Sequence, residues 1–256
     1  MDNYLVSLTS IPRRFNTTLP KVIESIKRQT IRCKIIVNIP NKYLKWNNDI
    51  IIPDYLLNDS DIIVNRTSRD YGPATKLLGS IEYVDRMGLG DIIKYIVTVD
   101  DDIIYMDTKF IEYFINVMKI YPNYVVPIAS IKLVNHPYHC DNGLSYNNIG
   151  FVDAPCGYKG VMYPIHMFNS DRFFMKKEFV DTLPIGITND DDAYFGIIMG
   201  IMNIPLYVIT STMHYNEAID IEGSAVQSNV NTCRKTNESN IYQDAIIKGY
   251  LPNKNK

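Results

Sequence analysis

The sequence has no marked excess of charge of either sign. Its 26 lysines and arginines stand against 28 aspartates and glutamates, which gives a formal net charge of -2. A chain balanced in this way has no general electrostatic reason to bind nucleic acid or an anionic membrane. The four cysteines are scattered and lack CxxC spacing, so neither a zinc site nor a disulfide framework is indicated. Any anionic ligand must therefore be held by a local site.

Long hydrophobic runs are also missing. The N-terminal segment has no basic stretch followed by an apolar one, and we therefore expect no signal peptide. The most apolar segment, 194–209, is short for a bilayer span and is interrupted by Asn203 and Pro205. We expect no transmembrane segment and a cytoplasmic protein. Because 46% of the 256 residues are hydrophobic, the chain can nevertheless bury a sizeable core.

Strand and helix patterns alternate through the first half of the chain. Strands are predicted at 4–10, 33–40, 61–65 and 94–100, and helices at 17–30, 73–88 and 108–120. This alternation predicts an α/β fold in which a mostly parallel sheet is flanked by helices. Turn residues concentrated between 135 and 172 predict an irregular second half, followed by helices near 175–182 and 190–202. Ligands of such sheets gather at the carboxyl ends of the strands.

Three consecutive carboxylates, Asp100, Asp101 and Asp102, follow the fourth predicted strand in the segment VTVDDDIIY. Like charges repel and each buried carboxylate carries a desolvation cost, so a cation is expected beside them. Helix capping explains them poorly, because apolar residues follow directly. Mg²⁺ and Mn²⁺ prefer carboxylate oxygens and commonly complete their shell with water and substrate phosphates. This strand end is therefore a candidate metal–diphosphate site.

A second acidic segment, NDDDAYFG, precedes the predicted helix at 190–202. The helix dipole alone favours acids there, and one or two of the polar residues 189–192 are expected to be caps. The four histidines are also ambiguous, because a lone histidine is usually a packed or exposed polar residue. They are His136, His139, His166 and His214.

The segment VDDDI resembles the DxD motif of glycosyltransferases with the GT-A fold. Other segments occur in the order seen in small, family 2-like sugar transferases of bacteria and giant viruses: SLTSIPRRF, LPKVIESIKRQT, YGPATKLLG, GYKGVMYP and NDDDAYFG. The resemblance covers about residues 4–215 and implies a single GT-A-like (Rossmann-like) domain over 1–256. Its parts would be a nucleotide-sugar-binding half at about 1–105, an acceptor and catalytic half at about 106–220, and a mobile loop with a C-terminal helix at about 221–256. A viral chain would work in the host cytoplasm.

The resemblance assigns the metal ligands. Asp102 would ligate Mn²⁺ or Mg²⁺, and Asp100 would face the nucleotide ribose and, directly or through water, the metal. Asp101 would orient the backbone or the donor sugar. His214 is implied as a late metal ligand, because many GT-A enzymes take one from such a position.

Donor contacts are implied in two turns. In the first βα turn, Thr9 and Arg13 would meet the nucleotide, and an arginine suits a diphosphate because its planar fork makes bidentate bonds. Before the helix at 73–88, Asp70 and Lys76 would bind the nucleotide near a helix N-terminus, which favours anions. The alternatives are a solvated loop arginine for Arg13 and an ordinary capped helix with an exposed lysine for Lys76.

The resemblance implies transfer of a sugar from a nucleoside diphosphate donor, with UDP-sugar favoured, to an acceptor hydroxyl on a glycan, glycolipid or protein. An inverting enzyme needs a base to take the hydroxyl proton, and Asp191 is the first choice for this role, with Asp192 second. Two alternatives stay open: an inactive module that binds sugar nucleotides or glycans, and a haloacid dehalogenase-like phosphatase. A P-loop enzyme is disfavoured because no GxxxxGK[ST] segment occurs. A homodimer is left open.

Overall fold

The computed structural model describes residues 3–44, 50–131, 150–152, 154–168, 191–209 and 216–218. The helices in these ranges are α1 (Leu19–Lys27), α2 (Asp54–Leu57), α3 (Thr75–Arg86), α4 (Phe110–Ile120) and α5 (Asp191–Met202). The strands are β1 (Tyr4–Thr9), β2 (Ile35–Pro40), β3 (Ile62–Thr67), β4 (Tyr95–Thr98), β5 (Ile103–Tyr105), β6 (Val126–Ile131), β7 (Gly150–Phe151), β8 (Ala154–Pro164), β9 (Tyr207–Val208) and β10 (Asn216–Ala218). No helix in the described ranges is long and apolar enough to cross a membrane.

The central sheet has six strands in the order β3-β2-β1-β4-β8-β6. The pairs among β3, β2, β1 and β4 are parallel, whereas β8 runs antiparallel to both β4 and β6. This arrangement confirms the predicted mostly parallel α/β sheet flanked by helices. Parallel strands are apolar on both faces because helices cover both sides of the sheet.

Two apolar layers cover the sheet. On one face, α3 and α5 pack against residues such as Leu5 and Ile36, and on the other face α1 and α4 pack against residues such as Val6 and Val37. Neighbouring strand residues therefore enter opposite layers, as the two-residue period of a strand requires. The predicted helices at 17–30, 73–88, 108–120 and 190–202 correspond to α1, α3, α4 and α5. The helix predicted near 175–182, and the loop and C-terminal helix predicted at about 221–256, lie outside the described residues.

The strand β8 lies in a stretch whose composition had indicated turns. It has eleven residues, and its pairing with β6 changes register in the middle: Pro127 pairs with Val161, but Ala129 pairs with Cys156. Four residues of β8, 157–160, therefore lie opposite Ile128 of β6 alone, and β8 forms a bulge there. Bulges re-aim side chains and are common beside active sites. The two glycines of this bulge had concealed the strand in the sequence.

Replacing Gly160 by alanine is expected to destabilise the fold by about 1–3 kcal/mol, the usual cost of overpacking a core. Its φ of +97° lies in a region that disfavours side chains, and an added Cβ would lie 2.6 Å from Cζ of Phe110. Urea denaturation would measure the change. Gly90→Ala is the matched control, because a Cβ there meets nothing within 4 Å. Equal stability of the two variants would contradict the bulge geometry.

The direction of strand addition reverses beside β1. β2 and β3 lie on one side of β1, and β4 lies on the other side. Such a switch point leaves a crevice outside the carboxyl ends of the strands, where ligands of open α/β sheets bind. The loops that follow β1 and β4 meet in this crevice.

Candidate active site

The polar groups that meet at the carboxyl edge of the sheet come from five parts of the chain. Ser10 and Arg14 follow β1, Lys76 lies in the first turn of α3, Asp100 to Asp102 follow β4, Gly157 lies in the β8 bulge, and Asp191 and Asp192 begin α5. We call the five aspartates of this set the acidic cluster. Ion pairs connect four of them, in two groups, to Arg14 and Lys76, and Asp192 accepts a hydrogen bond from the N–H of Gly157.

Arg14 binds two members of the acidic cluster. One terminal nitrogen contacts Oδ1 of Asp101, and the other lies 2.8 Å from Oδ2 of Asp102. The hydroxyl of Ser10 donates to the second oxygen of Asp101 at 2.5 Å, and Tyr43 donates to the carbonyl of Ser10 at 2.6 Å. Burial lowers the pKa of Arg14, but the carboxylates outweigh it and raise that pKa overall. The turn after β1 is therefore tied to the loop after β4.

Lys76 bridges the other part of the cluster. Its Nζ lies 2.5 Å from Oδ1 of Asp100 and 2.7 Å from Oδ2 of Asp191, and only 3% of its side chain is exposed. Burial opposes the charged ammonium, but Asp100, Asp191 and Asp192 together raise the pKa of Lys76 well above its usual value. The lysine is thus a buried cation that joins the acids after β4 to those at the start of α5.

A buried polar network fixes the start of α3. The carbonyl of Lys76 accepts hydrogen bonds from Oγ of Ser7 and from Nδ2 of Asn38, the latter at 3.3 Å. Asn38 in turn donates to Ser80 at 2.9 Å and accepts from Asn65 at 2.7 Å. Such a network costs free energy unless every member is satisfied, but it specifies one arrangement of the helix on the sheet. The position of the Lys76 ammonium follows from that arrangement.

Gly157 completes the contact between β8 and α5. Its N–H donates to Oδ1 of Asp192 at 2.7 Å. A Cβ at this position would lie 3.1 Å from the same oxygen and 3.1 Å from Nζ of Lys76, so a side chain would crowd both groups. The β8 bulge therefore brings its backbone close to the acids of α5.

The loop after β4 is held by Tyr105. Its buried hydroxyl accepts from the N–H of Asp100 at 3.0 Å and donates to the carbonyl of Tyr158 at 3.3 Å. This contact sets the direction in which the chain leaves β4. It was not foreseen from the sequence, because a tyrosine among apolar residues reads simply as core.

Within the described ranges, two cations, Arg14 and Lys76, contact the five carboxylates of the acidic cluster. Counted over these described residues alone, the formal charge of the cluster is -3. Burial, and then the neighbouring Asp100, raise the pKa of Asp102 to about 6, although Arg14 opposes the shift. The raised pKa means that the charged form of Asp102 is disfavoured in the metal-free fold, so a cation bound beside this carboxylate would offset part of that cost.

A divalent metal fits the oxygen donors that this loop offers. Asp100 and Asp102 are the partly exposed acids after β4, with 28% and 26% of their side chains exposed. Within the ranges that the structure describes, no group of three or more His, Cys, Asp and Glu side chains is arranged to hold a metal. Mg²⁺ and Mn²⁺ need only one or two carboxylates when substrate phosphates supply further oxygens. His214, the histidine assigned to the metal, lies outside the described part of the chain. His136 and His139, which were given no role, also lie outside it.

The residues assigned to the donor lie in different surroundings. Thr9 donates to the carbonyl of Asn38 at 2.8 Å and links β1 to β2. Asp70 accepts from the N–H groups of Gly72 and Leu44, both at 2.8 Å, and so connects the loops after β3 and β2. Arg13 is exposed, and its neighbour Arg14 is the arginine that enters the acidic cluster. Two adjacent residues in a turn point in different directions, and the sequence does not reveal which one faces the site.

Solved structures with a similar fold are found, although no protein-family model matches and no curated protein matches in sequence. The structure of S. aureus TarS 1–349 in complex with UDP-GlcNAc has a TM-score of 0.56 and 12% identity, covering 90% of this chain and 62% of that one. The mannosyltransferase PcManGT from Pyrobaculum calidifontis, in complex with GDP-Man and Mn²⁺, has a TM-score of 0.53 and 12% identity, covering 86% and 58%. A structure of TarS 1–349 with UDP has a TM-score of 0.51, 12% identity and coverage of 84% and 60%.

These similarities establish the fold as GT-A-like. At 12% identity they carry no residue from those proteins to this chain, which spans about 60% of their length. The central sheet and the flanking helices are what this chain shares with them. What the chain does has to be argued from its own acidic cluster.

Proposed function

We propose that this protein is a metal-dependent glycosyltransferase, which moves a sugar from a nucleoside diphosphate donor to an acceptor hydroxyl. The observation that carries the proposal is the acidic cluster at the carboxyl edge of a GT-A-like sheet, whose formal charge is -3 when only the described residues are counted. A cation and the diphosphate that it neutralises would balance this cluster. The solved structures of similar fold support the choice, since one is a complex with UDP-GlcNAc and another is a complex with GDP-Man and Mn²⁺.

Asp102, Asp100 and His214 are the residues proposed to hold Mn²⁺ or Mg²⁺. When bound, the metal would supply a positive charge that stabilises the leaving diphosphate. The role of His214 is what the sequence resemblance implies, and this residue lies outside the described part of the chain. The acid Asp101 has a different role, because Ser10 and Arg14 hold both of its oxygens and it anchors the loop.

The donor nucleotide is proposed to lie in the crevice between the turn after β1 and the loop after β4. Thr9, Arg13 and Asp70 remain the proposed nucleotide contacts at the ends of β1 and β3. Lys76 contributes differently from the sequence-based expectation, since its ammonium is buried between two carboxylates. It holds Asp100 and Asp191 in place, and its charge acts on the diphosphate through the field at the site. A UDP-sugar is the favoured donor.

Asp191 is proposed as the base for an inverting transfer, with Asp192 as the second choice. Asp191 begins α5, where the helix dipole favours an ionised carboxylate, and 14% of its side chain is exposed. Asp192 is bound by the backbone of Gly157 and is therefore more constrained. The base would take the proton of the acceptor hydroxyl as its oxygen attacks the anomeric carbon. The acceptor belongs to a glycan, a glycolipid or a protein.

The proposal predicts that nucleoside diphosphate is released from a sugar-nucleotide donor only when metal is present. A panel of UDP- and GDP-sugars with Mn²⁺ should give release that EDTA abolishes and that excess Mn²⁺ restores. Slow hydrolysis by water is expected even without the acceptor. Tight donor binding without any release would favour the sugar-nucleotide-binding module instead. Turnover of p-nitrophenyl phosphate, with no release from the donors, would favour the phosphatase.

A further inference from the structure

Arg14 has two carboxylate partners of different character. Asp101 is buried and also accepts from Ser10, so its contact with Arg14 is part of a fixed network. Asp102 is partly exposed, and in the described part of the chain Arg14 is the cation that contacts it, at 2.8 Å. A ligand can therefore replace the contact between Arg14 and Asp102 without disturbing the contacts among Arg14, Asp101 and Ser10.

Asp102 is also the acid proposed to ligate the metal. A carboxylate that is bound to a divalent cation attracts a guanidinium less strongly. A metal on Asp102 would also repel the guanidinium of Arg14, because both positive charges would lie beside the same carboxylate. The Nε atom of Arg14 is buried and has no hydrogen-bond acceptor among the described residues, so the present position of the side chain leaves one donor unsatisfied. A rearrangement that supplies an acceptor to Arg14 would remove this cost.

The charges indicate where the guanidinium would turn. Counted over the described residues, a divalent metal would bring the acidic cluster from -3 to -1, and a donor diphosphate would then add negative charge. In the described part of the chain, the cations that contact the cluster are Lys76, which is 3% exposed and held by two acids, and Arg14, which is 12% exposed. Arginine binds phosphate oxygens with two parallel N–H groups, whereas the lysine is a buried point charge.

We propose that Arg14 is an internal counter-ion that competes with the metal for Asp102 and that, once displaced, binds the diphosphate of the donor. The proposal rests on the proposed function and assigns this arginine a specific role in it. Arg14 would keep its contact with Asp101 throughout, so the movement is a rotation of the guanidinium about a fixed partner. Metal and donor would then bind in a coupled way, because the metal frees the group that the diphosphate needs.

This role predicts effects of opposite sign on two ligands. Arg14→Gln should bind Mn²⁺ alone roughly 3-fold or more tightly, since a competing ion pair at a partly exposed carboxylate is removed. The same variant should bind UDP or GDP, in the presence of Mn²⁺, roughly 10-fold or more weakly, since charge-assisted hydrogen bonds to the diphosphate are lost. A residue that merely holds the loop in place would weaken both ligands together.

The experiment measures both affinities on the full chain. Free Mn²⁺ is followed by electron paramagnetic resonance without nucleotide, and UDP and GDP are titrated calorimetrically with saturating Mn²⁺. Lys34→Gln is the matched control. Lys34 lies before β2, at the opposite edge of the sheet, and the substitution removes one cation from its ion pair with Asp61. Arg14→Lys covers the case in which the glutamine variant does not fold. Arg14→Lys should bind Mn²⁺ alone like the wild type, because the positive charge is kept. It should bind the nucleotide more weakly, because the lysine ammonium cannot make the two parallel hydrogen bonds of a guanidinium.

The outcomes separate this inference from the proposed function. Tighter binding of Mn²⁺ together with weaker binding of UDP or GDP by Arg14→Gln, with neither change in Lys34→Gln, would support the displacement of Arg14 by the metal. Two results would overturn the proposed displacement of Arg14 and leave the transferase proposal standing. One is an unchanged Mn²⁺ affinity of Arg14→Gln, and the other is weaker binding of both Mn²⁺ and nucleotide with an unchanged melting temperature. A wild-type protein that binds neither Mn²⁺ nor nucleotide would overturn both.

Discussion

Asp191→Asn should lose sugar transfer by roughly 10²- to 10⁴-fold, the usual share of general base catalysis, while donor and metal bind with near-native affinity. The amide keeps an oxygen that Lys76 can donate to, and Lys76 retains its contact with Asp100, so the surroundings of residue 191 should be preserved. The lost property is the ability to accept a proton. Transfer is measured as product formation, and donor binding by calorimetry with Mn²⁺.

The matched comparison for this variant is Asp192→Asn, the same change one residue later. Asp192 accepts a hydrogen bond from the N–H of Gly157. The Asp192→Asn variant should lose less sugar transfer than Asp191→Asn does. If Asp192→Asn alone separates binding from transfer, the base is Asp192. If Asp191→Asn lowers donor affinity and melting temperature together, the residue serves only as a helix cap. A product with retained anomeric configuration, read by NMR, would remove the need for such a base.

Asp102→Asn should reduce metal-dependent donor turnover by orders of magnitude, because the metal loses a charged ligand while the side chain keeps nearly the same shape. The fold should not suffer. The pKa of Asp102 is raised to about 6, which means that its charge is unfavourable in the metal-free fold at neutral pH. The metal-free variant is therefore expected to melt at the same temperature as the wild type or higher. Nucleoside diphosphate release and Mn²⁺ binding report the metal, and thermal denaturation with EDTA reports the fold.

A distant aspartate provides the control for Asp102. Asp61→Asn makes the same chemical change at an acid that pairs with Lys34 before β3, and it should leave metal-dependent turnover intact. Unchanged turnover in Asp102→Asn would contradict the assignment of this residue to the metal. A clear drop in melting temperature of Asp102→Asn would instead show that the ion pair with Arg14 outweighs the cost of burying the charge.

The parallel part of the sheet was predictable because its strands are short apolar runs separated by helical patterns. The strand β8 was not predictable, since its glycines, prolines and tyrosines gave a turn-like composition. Both of its faces are covered, and its register shift with β6 removes any simple alternation. Burial of such a strand is decided by partners that lie far away in the chain, which a local pattern does not contain.

The acids of the site were predictable, but their partners were not. Asp100 to Asp102 could be recognised because three charges after a buried strand require a reason. The choice of Arg14 as their partner depends on the direction of one turn, and the buried position of Lys76 depends on how α3 lies on Ser7 and Asn38. Residue types indicate the chemistry of a site, whereas the pairs among them arise from tertiary packing.

The antiparallel strand β8 also has a consequence for how this protein reaches its native state. Its partner β4 is wholly buried and lies much earlier in the chain, so after synthesis of β4 one edge of that strand has no neighbour until β8 arrives. An apolar strand edge left open in this way is a template for aggregation, and such long-range pairings form slowly. Lys76 and Asp100 can meet once β4 joins β1, whereas Gly157 and Asp191 join only after the later chain has packed. The complete acidic cluster therefore requires chain segments that are synthesised more than a hundred residues apart, from Lys76 to Asp191.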